Sequence, residues 1–266
     1  MIPSSTTAIL TYHLLDDSGS VLSTPPHIFA EQLRILSEQG VQVLGLGELS
    51  QMLMAPAFPQ GAVAITFDDG FQSVYQHALP VLQRYNFPAT VFLVSDYCGR
   101  TNSWPSQPCE IARRPLLGWN EIRDMSAMGI TFGSHSRTHP DLTTIARREA
   151  EEELAASKKT IEDAIGRPVE AFAFPYGAYD GTVKTLVQQY FTLACSTTLG
   201  FTGRRSDLFT LERIDMYYLQ RLTLFRRLFS PEIRAYLTLR RYLRDLRRRA
   251  PKRRGGGRRG GLAYRL

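Results

Sequence analysis

The chain predicts an α/β fold: a barrel of about seven parallel strands ringed by helices, followed by a basic helical extension. Short apolar runs alternate with amphipathic stretches from residue 8 to residue 195. That alternation is the pattern of a parallel sheet covered by helices. About seven such runs precede residue 215, too many for a small open sheet. The chemically distinctive residues all follow the ends of these runs, where the active sites of (β/α) barrels lie.

Taken in order, Ala8-Ile9-Leu10-Thr11-Tyr12 reads as a first buried strand ending at His13. Ile28, Phe29, Leu33 and Leu36 recur at spacings of three and four, which predicts an amphipathic helix over 28–39 closed by Gly40. Val41 to Leu46 reads as a second strand and Leu49 to Met54 as a short helix. The run from Gly61 to Phe67, bounded by Pro59, suits a strand buried on both faces. Val74, Ala78, Leu79, Val81 and Leu82 predict a helix ending near Asn86, and Thr90 to Val94 a further strand. His27 reads as a cap or surface residue, and His77 as packed or exposed within its helix.

A long loop then runs from Ser95 to Leu117. Its Trp104 could anchor the loop or stack on a sugar ring. Gly129-Ile130-Thr131-Phe132 is another apolar run, and Asp141 to Ile165 a long helix with a charged outer face, stopped by Gly166-Arg167-Pro168. Val169 to Phe174 reads as a strand leading into Pro175-Tyr176-Gly177. A helix containing Val183, Leu186 and Val187 and a late strand, Phe191 to Cys195, follow.

Two clusters carry chemistry. Thr66-Phe67-Asp68-Asp69-Gly70 puts adjacent carboxylates at the end of a buried strand, where like charge and lost hydration both disfavour ionisation. A cation would relieve that cost; alternatively the pair caps the helix beginning near Phe71. His135-Ser136-Arg137-Thr138-His139 places two imidazoles four residues apart, a spacing that faces one way on a helical turn. One carboxylate and two imidazoles, with open positions left for water and substrate, form a common hydrolytic metal site.

These two segments resemble the first and second motifs of the polysaccharide deacetylases of the fourth carbohydrate-esterase family. The resemblance extends in weaker form over residues 8–215. It implies a distorted seven-stranded (β/α) barrel, with Asp68 as general base and Asp69, His135 and His139 binding a divalent metal, usually zinc. In some members the motif order is circularly permuted, and an N-terminal Tyr-His segment supplies the histidine that protonates the leaving amine. Tyr12-His13 is similar to that segment, and no histidine follows His139, so His13 is assigned as general acid. Phe172-Ala173-Phe174-Pro175-Tyr176-Gly177 is similar to the third motif. The resemblance gives the Tyr176 backbone N–H an oxyanion-holding role beside Pro175. Many members carry an arginine two residues before that proline. Here the position is Ala173, so the group that orients Asp68 is missing or comes from elsewhere.

Composition sets the remaining expectations. A hydrophobic fraction of 43% is ordinary for a globular chain, and no apolar run approaches the roughly 20 residues of a membrane span. Cys98, Cys109 and Cys195 fit neither a disulfide framework nor a zinc-binding cysteine pair. No basic leader with an apolar core opens the chain, so a cytoplasmic location is expected. The net charge of +7 divides unevenly: residues 216–266 hold 16 Lys and Arg against Glu232 and Asp245. The expected organisation is a catalytic barrel over 1–215, amphipathic Arg-rich helices over 216–250, and a disordered basic tail over 251–266. The helices either contact an anionic membrane peripherally or pack their apolar faces on the barrel. No base-reading motif accompanies the tail, which ranks nucleic acid below membrane. The expected activity is metal-dependent removal of N-acetyl groups from an N-acetylated or lipid-linked glycan. A hydrolase of non-sugar amides and a catalytically impaired glycan-binding barrel are the alternatives.

Overall fold

The computed structural model describes residues 6–55 and 61–249. Its strands are β1 (Thr6–Tyr12), β2 (Val63–Phe67), β3 (Thr90–Leu93), β4 (Thr131–Ser134), β5 (Ala171–Ala173), β6 (Leu193–Leu199), β7 (Thr202–Gly203) and β8 (Leu211–Asp215). Its helices are α1 (Pro26–Glu38), α2 (Leu46–Met54), α3 (Leu79–Tyr85), α4 (Trp119–Ala127), α5 (Arg147–Ile165), α6 (Gly181–Tyr190), α7 (Leu222–Phe225) and α8 (Pro231–Arg249). Strand pairing runs β2-β3-β4-β5-β6-β8-β1, and β1 pairs with β2 in turn, so seven parallel strands close a barrel. The short β7 joins β1 antiparallel outside that ring.

The predicted barrel is therefore present, with one stave exchanged. Val41 to Leu46 is not a strand; Val43 makes an isolated bridge to Val63 before the chain enters α2. The seventh stave is β8, Leu211-Glu212-Arg213-Ile214-Asp215, whose alternating charges lack the apolar run of a strand buried on both faces. The long helix begins at Arg147 rather than Asp141, and a π turn at Val74–Ala78 precedes α3. The proposed boundary at Pro59 and the tail at 251–266 lie outside the described residues.

Strand periodicity sorts the side chains. Alternate residues Ala8, Leu10, Tyr12, Val63, Ile65 and Phe67 point outward into the core shared with the helices, where the Tyr12, Phe29 and Phe67 rings pack at centroid distances of 5.0–5.7 Å. The other row forms the barrel interior: Ile9, Ala64, Phe92, Ala171, Ala173, Leu193, Cys195 and Leu211. Leu46, Leu49 and Leu53 of α2 join that interior cluster, beside the strand-start residues Ala62, Leu193 and Leu211. Continuing the same period-two row upward reaches His13, Asp68, His135, Pro175, Arg213 and Asp215 at the opposite mouth.

The interior is tightly filled. Gly133 of β4 is one place where that filling dictates the residue: a Cβ there would stand 2.5 Å from Phe92 Cδ1 and 2.9 Å from the Ala171 carbonyl oxygen. Gly133→Ala is expected to cost about 1–3 kcal/mol of unfolding free energy, read from urea denaturation, because backbone on one side prevents a simple shift.

Candidate metal centre and active site

Asp68 follows β2 directly, and its N–H still donates to the Tyr12 carbonyl at 2.9 Å. The backbone then enters the left-handed region, at φ 67° for Asp69 and 71° for Gly70. This reversal points the two neighbouring carboxylates to different partners. Neither caps a helix, because the next helical turn starts at Val74, with Ser73 before it.

Asp68 is 2% exposed and is gripped by Arg213. Nη1 donates to Oδ1 and Nη2 to Oδ2, both at 2.7 Å, while Nε donates to the Ser196 carbonyl at 2.9 Å. Burial pushes the Asp68 carboxyl up, but Arg213, with His135 and His13 nearby, overcomes that and holds it well below the usual carboxylate range. The orienting arginine absent at Ala173 is therefore supplied by β8. Sequence reading missed it because Arg213 comes from a strand with no apolar run; a signal was present in the inward spacing of Leu211, Arg213 and Asp215. Arg213 also lies over the Phe92 ring, 5.7 Å from its centroid.

His13 extends the inward row of β1 and sets Nε2 3.8 Å from Asp68 Oδ2. Asp215, at the end of the neighbouring β8, is a second residue the sequence reading passed over. Burial pushes its carboxyl up, while His13 pulls it back. A candidate base, its arginine clamp and a candidate acid thus converge from β2, β8 and β1.

Asp69, His135 and His139 form the adjacent cluster, all buried, with one ligand atom from each within 4.8 Å of the others. His135 Nδ1 lies 2.7 Å from the Ala173 carbonyl oxygen. A carbonyl only accepts, so Nδ1 carries the proton and Nε2 presents a lone pair. Burial lowers the His135 pKa to about 4, leaving the ring neutral at neutral pH. That lone pair faces Asp69 Oδ1 at 3.5 Å, and His139 Nε2 faces the same oxygen at 3.4 Å. Neither Asp69 oxygen has a hydrogen-bond partner with acceptable geometry. Burial pushes Asp69 up, and contact with His139 together with the other imidazoles brings it below the ordinary range. The His135 lone pair and the Asp69 carboxylate repel at 3.5 Å unless a cation separates them, so the donor set fits a divalent metal.

The imidazoles do not share a helical turn as expected. Ser136 and His139 have φ of 65° and 62°, and the His139 N–H donates to Ser136 Oγ at 3.0 Å, so a left-handed bend brings the rings together. Among the described residues, Asp69, Ser136, His139 and Tyr176 (φ 59°) are four of the five non-glycine residues at positive φ. Such strain gathers at sites where the surrounding packing over-determines the backbone.

Trp104 does not present a face for sugar stacking. It is 2% exposed, its ring stacks on His139 at 4.5 Å, and Tyr97 meets it edge-on at 5.6 Å. It forms the wall behind a metal-ligand candidate, within a small cluster with Leu14, Phe71, Val94 and Leu116 beneath the long loop. Two residues on, Ser106 Oγ donates to the His139 carbonyl at 2.8 Å and lies 2.7 Å from Tyr176 Oη. Pro175 is buried and opens the short turn that carries Tyr176, whose ring meets His139 edge-on at 4.5 Å. His27 and His77 are exposed.

Two substitutions test this geometry. Arg213→Ala is expected to lower kcat/KM by roughly 10²–10⁴-fold. Losing the guanidinium raises the Asp68 pKa, so the acidic limb of the pH–rate profile should move to higher pH. Ser106→Ala is expected to weaken metal binding by roughly 10-fold in a chelator-competition titration, the low end of the roughly 10–100-fold cost of losing a group that supports a ligand, because it frees His139 and Tyr176 from each other.

Comparison with known proteins agrees with these features. A profile described as polysaccharide deacetylase matches residues 55–192. YxkH of Bacillus subtilis (strain 168), whose name places it among polysaccharide deacetylases, is 28% identical over 208 residues, covering 77% of this chain and 70% of that protein. A poly-β-1,6-N-acetyl-D-glucosamine N-deacetylase of Staphylococcus epidermidis is 29% identical over 182 residues, 62% of this chain and 59% of its own length. The crystal structure of a polysaccharide deacetylase from Bacillus cereus shares 26% identity at a TM-score of 0.66, over 79% of this chain and 64% of that one. IcaB from Ammonifex degensii shares the fold at a TM-score of 0.70 and 23% identity, over 84% and 97%. With residues 55–192 matched, more than half its length, this chain belongs to the polysaccharide deacetylase family.

Proposed function

We propose that the protein is a metal-dependent hydrolase that removes acetyl groups from the amide nitrogen of N-acetylated sugars in a glycan. The observation that carries this reading is the side-by-side placement of an arginine-clamped Asp68 and a metal-ready Asp69–His135–His139 cluster, with His13 within 3.8 Å of Asp68. The Staphylococcus relative, named for poly-β-1,6-N-acetyl-D-glucosamine, supports an N-acetylated polymer as the substrate class.

Asp69, His135 and His139 would hold the ion, for which zinc suits one carboxylate and two imidazoles. When bound, it supplies a Lewis acid that polarises the acetamide carbonyl and acidifies water. Asp68, kept ionised by Arg213, takes the proton of the attacking water. The Tyr176 backbone N–H is assigned to the developing oxyanion in the oxyanion-hole manner. His13 gives a proton to the departing amine nitrogen as the C–N bond breaks, releasing acetate and a free amino sugar. The impaired-barrel alternative rested on Ala173, and the Arg213 clamp removes its basis. The basic C-terminal helices are assigned to an anionic membrane surface, on which a lipid-linked or surface-bound glycan would be met.

Acetate release from a panel of N-acetylhexosamine oligomers, with metal analysis alongside, tests the reading. Asp68→Asn should retain metal and lose turnover, whereas His135→Ala should lose the metal. Metal-loaded protein that releases acetate only from non-sugar amides would replace the substrate class, and Asp68→Asn with undiminished activity would remove the base.

A further inference from the structure

Helix α8 has two apolar faces, and the barrel needs only one of them. On the inner face, Ile233 and Leu237 are buried in the main core. Arg234 Nη2 donates to Thr6 Oγ1 at 2.8 Å and Arg244 Nη2 to the Thr197 carbonyl at 2.6 Å. Arg240 lies over the Tyr218 and Tyr236 rings, at 5.2 and 5.8 Å from their centroids. Within α8, the expectation that apolar faces of the basic helices pack on the barrel is met by this side.

On the opposite side Leu239, Tyr242, Leu243 and Leu246 are 55%, 60%, 40% and 46% exposed. With exposed Ala235 they fall within about 100° of one another at 3.6 residues per turn, the width of an amphipathic stripe. Ala235, Leu239 and Tyr242, with Pro231, Arg234 and Thr238, also line a shallow surface groove. Residues 231–266 hold 13 Lys and Arg against Glu232 and Asp245. Among the described residues no helix is long and apolar enough to cross a membrane.

We propose that the outward stripe of α8 docks on an anionic phospholipid bilayer, with its leucines and tyrosine in the headgroup–acyl boundary and the surrounding arginines against lipid phosphates. Charge selects this occupant. A second copy of the chain would bring an equally basic segment against the first, and like charges repel. A polynucleotide would meet the arginines through its phosphates but leave three leucines uncovered.

The orientation of α8 gives the surface a consequence. Arg234 anchors the helix at Thr6, where β1 begins. Ten residues later, about 15 Å along the axis, Arg244 anchors it at Thr197. Thr197 packs against Gly177, the residue after Tyr176: a Cβ on Gly177 would stand 2.0 Å from Thr197 Oγ1. The end of the stripe bearing Leu243 and Leu246 is therefore the end beside the catalytic loop. Docking this face lays the barrel wall along the bilayer with the rim of its mouth at the surface, where a glycan attached to a lipid or lying along the membrane is presented. That consequence for substrate rests on the deacetylase reading above; the docking itself does not.

Co-sedimentation of the full chain with vesicles tests it. The protein should pellet with phosphatidylcholine–phosphatidylglycerol vesicles at low salt, stay in the supernatant with phosphatidylcholine alone, and be released by high salt. Leu239→Gln combined with Leu243→Gln, both exposed, should lower partitioning roughly tenfold while acetate release from a soluble N-acetylated oligosaccharide is unchanged. The proposal is overturned if wild-type protein ignores anionic vesicles or if the double variant pellets as well as wild type. It is also overturned if light scattering shows a dimer that the double variant dissolves, or if the double variant loses binding to single-stranded polynucleotide but not to vesicles. Vesicle binding reads no chemistry, so protein that pellets as expected yet releases no acetate supports the docking face and removes the deacetylase reading instead.

Discussion

Two carboxylates that are neighbours in the chain and both buried at one strand end must each find positive charge, and the architecture of the mouth follows from how they do so. Asp68 ends the inward row of β2 and meets a guanidinium fixed at three donor positions. Asp69, turned by a left-handed backbone, faces two imidazole nitrogens that cannot both serve it as hydrogen-bond donors. One carboxylate is neutralised by the protein, and the other lies in a donor set that fits a divalent cation. A buried pair with one partner removed is costly, at about 3–5 kcal/mol, so Arg213 and Asp68 are bound to each other's presence. Asp69 has no guanidinium of this kind; the ionisable groups facing it are the His135 and His139 imidazoles.

The division of labour between the two inward layers explains why small residues line the barrel. Ala64, Gly133, Ala171 and Ala173 keep the interior narrow below the mouth, and Phe92 fills the space directly beneath Arg213. Ala173 contributes no side chain to catalysis, yet its carbonyl fixes the tautomer of His135. The same position that lacks an arginine therefore orients a candidate metal ligand through the backbone. Above this layer the long loop supplies a second wall: Trp104 braces the His139 ring, and Ser106 ties the His139 carbonyl to the Tyr176 hydroxyl. Four strained non-glycine residues sit within these contacts, as expected where packing holds the backbone away from its local preference.

Outside the barrel, the C-terminal helices are less an appendage than the chain's composition suggested. Met216, Tyr218, Leu219, Phe225, Leu228, Ile233 and Leu237 belong to the same core as the barrel helices. Two arginines of α8 are spent on internal carbonyl and hydroxyl groups. Basic residues in an amphipathic helix can thus serve the fold and a surface at once, because a long cationic side chain reaches a polar partner across apolar packing.

Local rules were enough to reveal the strand–helix alternation and the Asp68-Asp69 and His135–His139 clusters, because apolar periodicity and adjacent ionisable groups are written in consecutive residues; Pro175 and Tyr176 were legible only through the family resemblance. The membership of the ring was not legible: Val41 to Leu46 looked more like a stave than Leu211 to Asp215, since a strand whose inward side chains are charged carries no apolar run. Neither the Arg213 clamp nor Asp215 beside His13 could be read for the same reason, as their meaning depends on β8 lying against β1 and β6, with Arg213 145 residues from Asp68. Trp104 shows the converse limit, an aromatic whose type suits sugar stacking but whose burial against His139 assigns it to support. Sequence alone determined which chemistry the chain could hold. Closure of the barrel decided which residues perform it, because only closure brings the last strand beside the first.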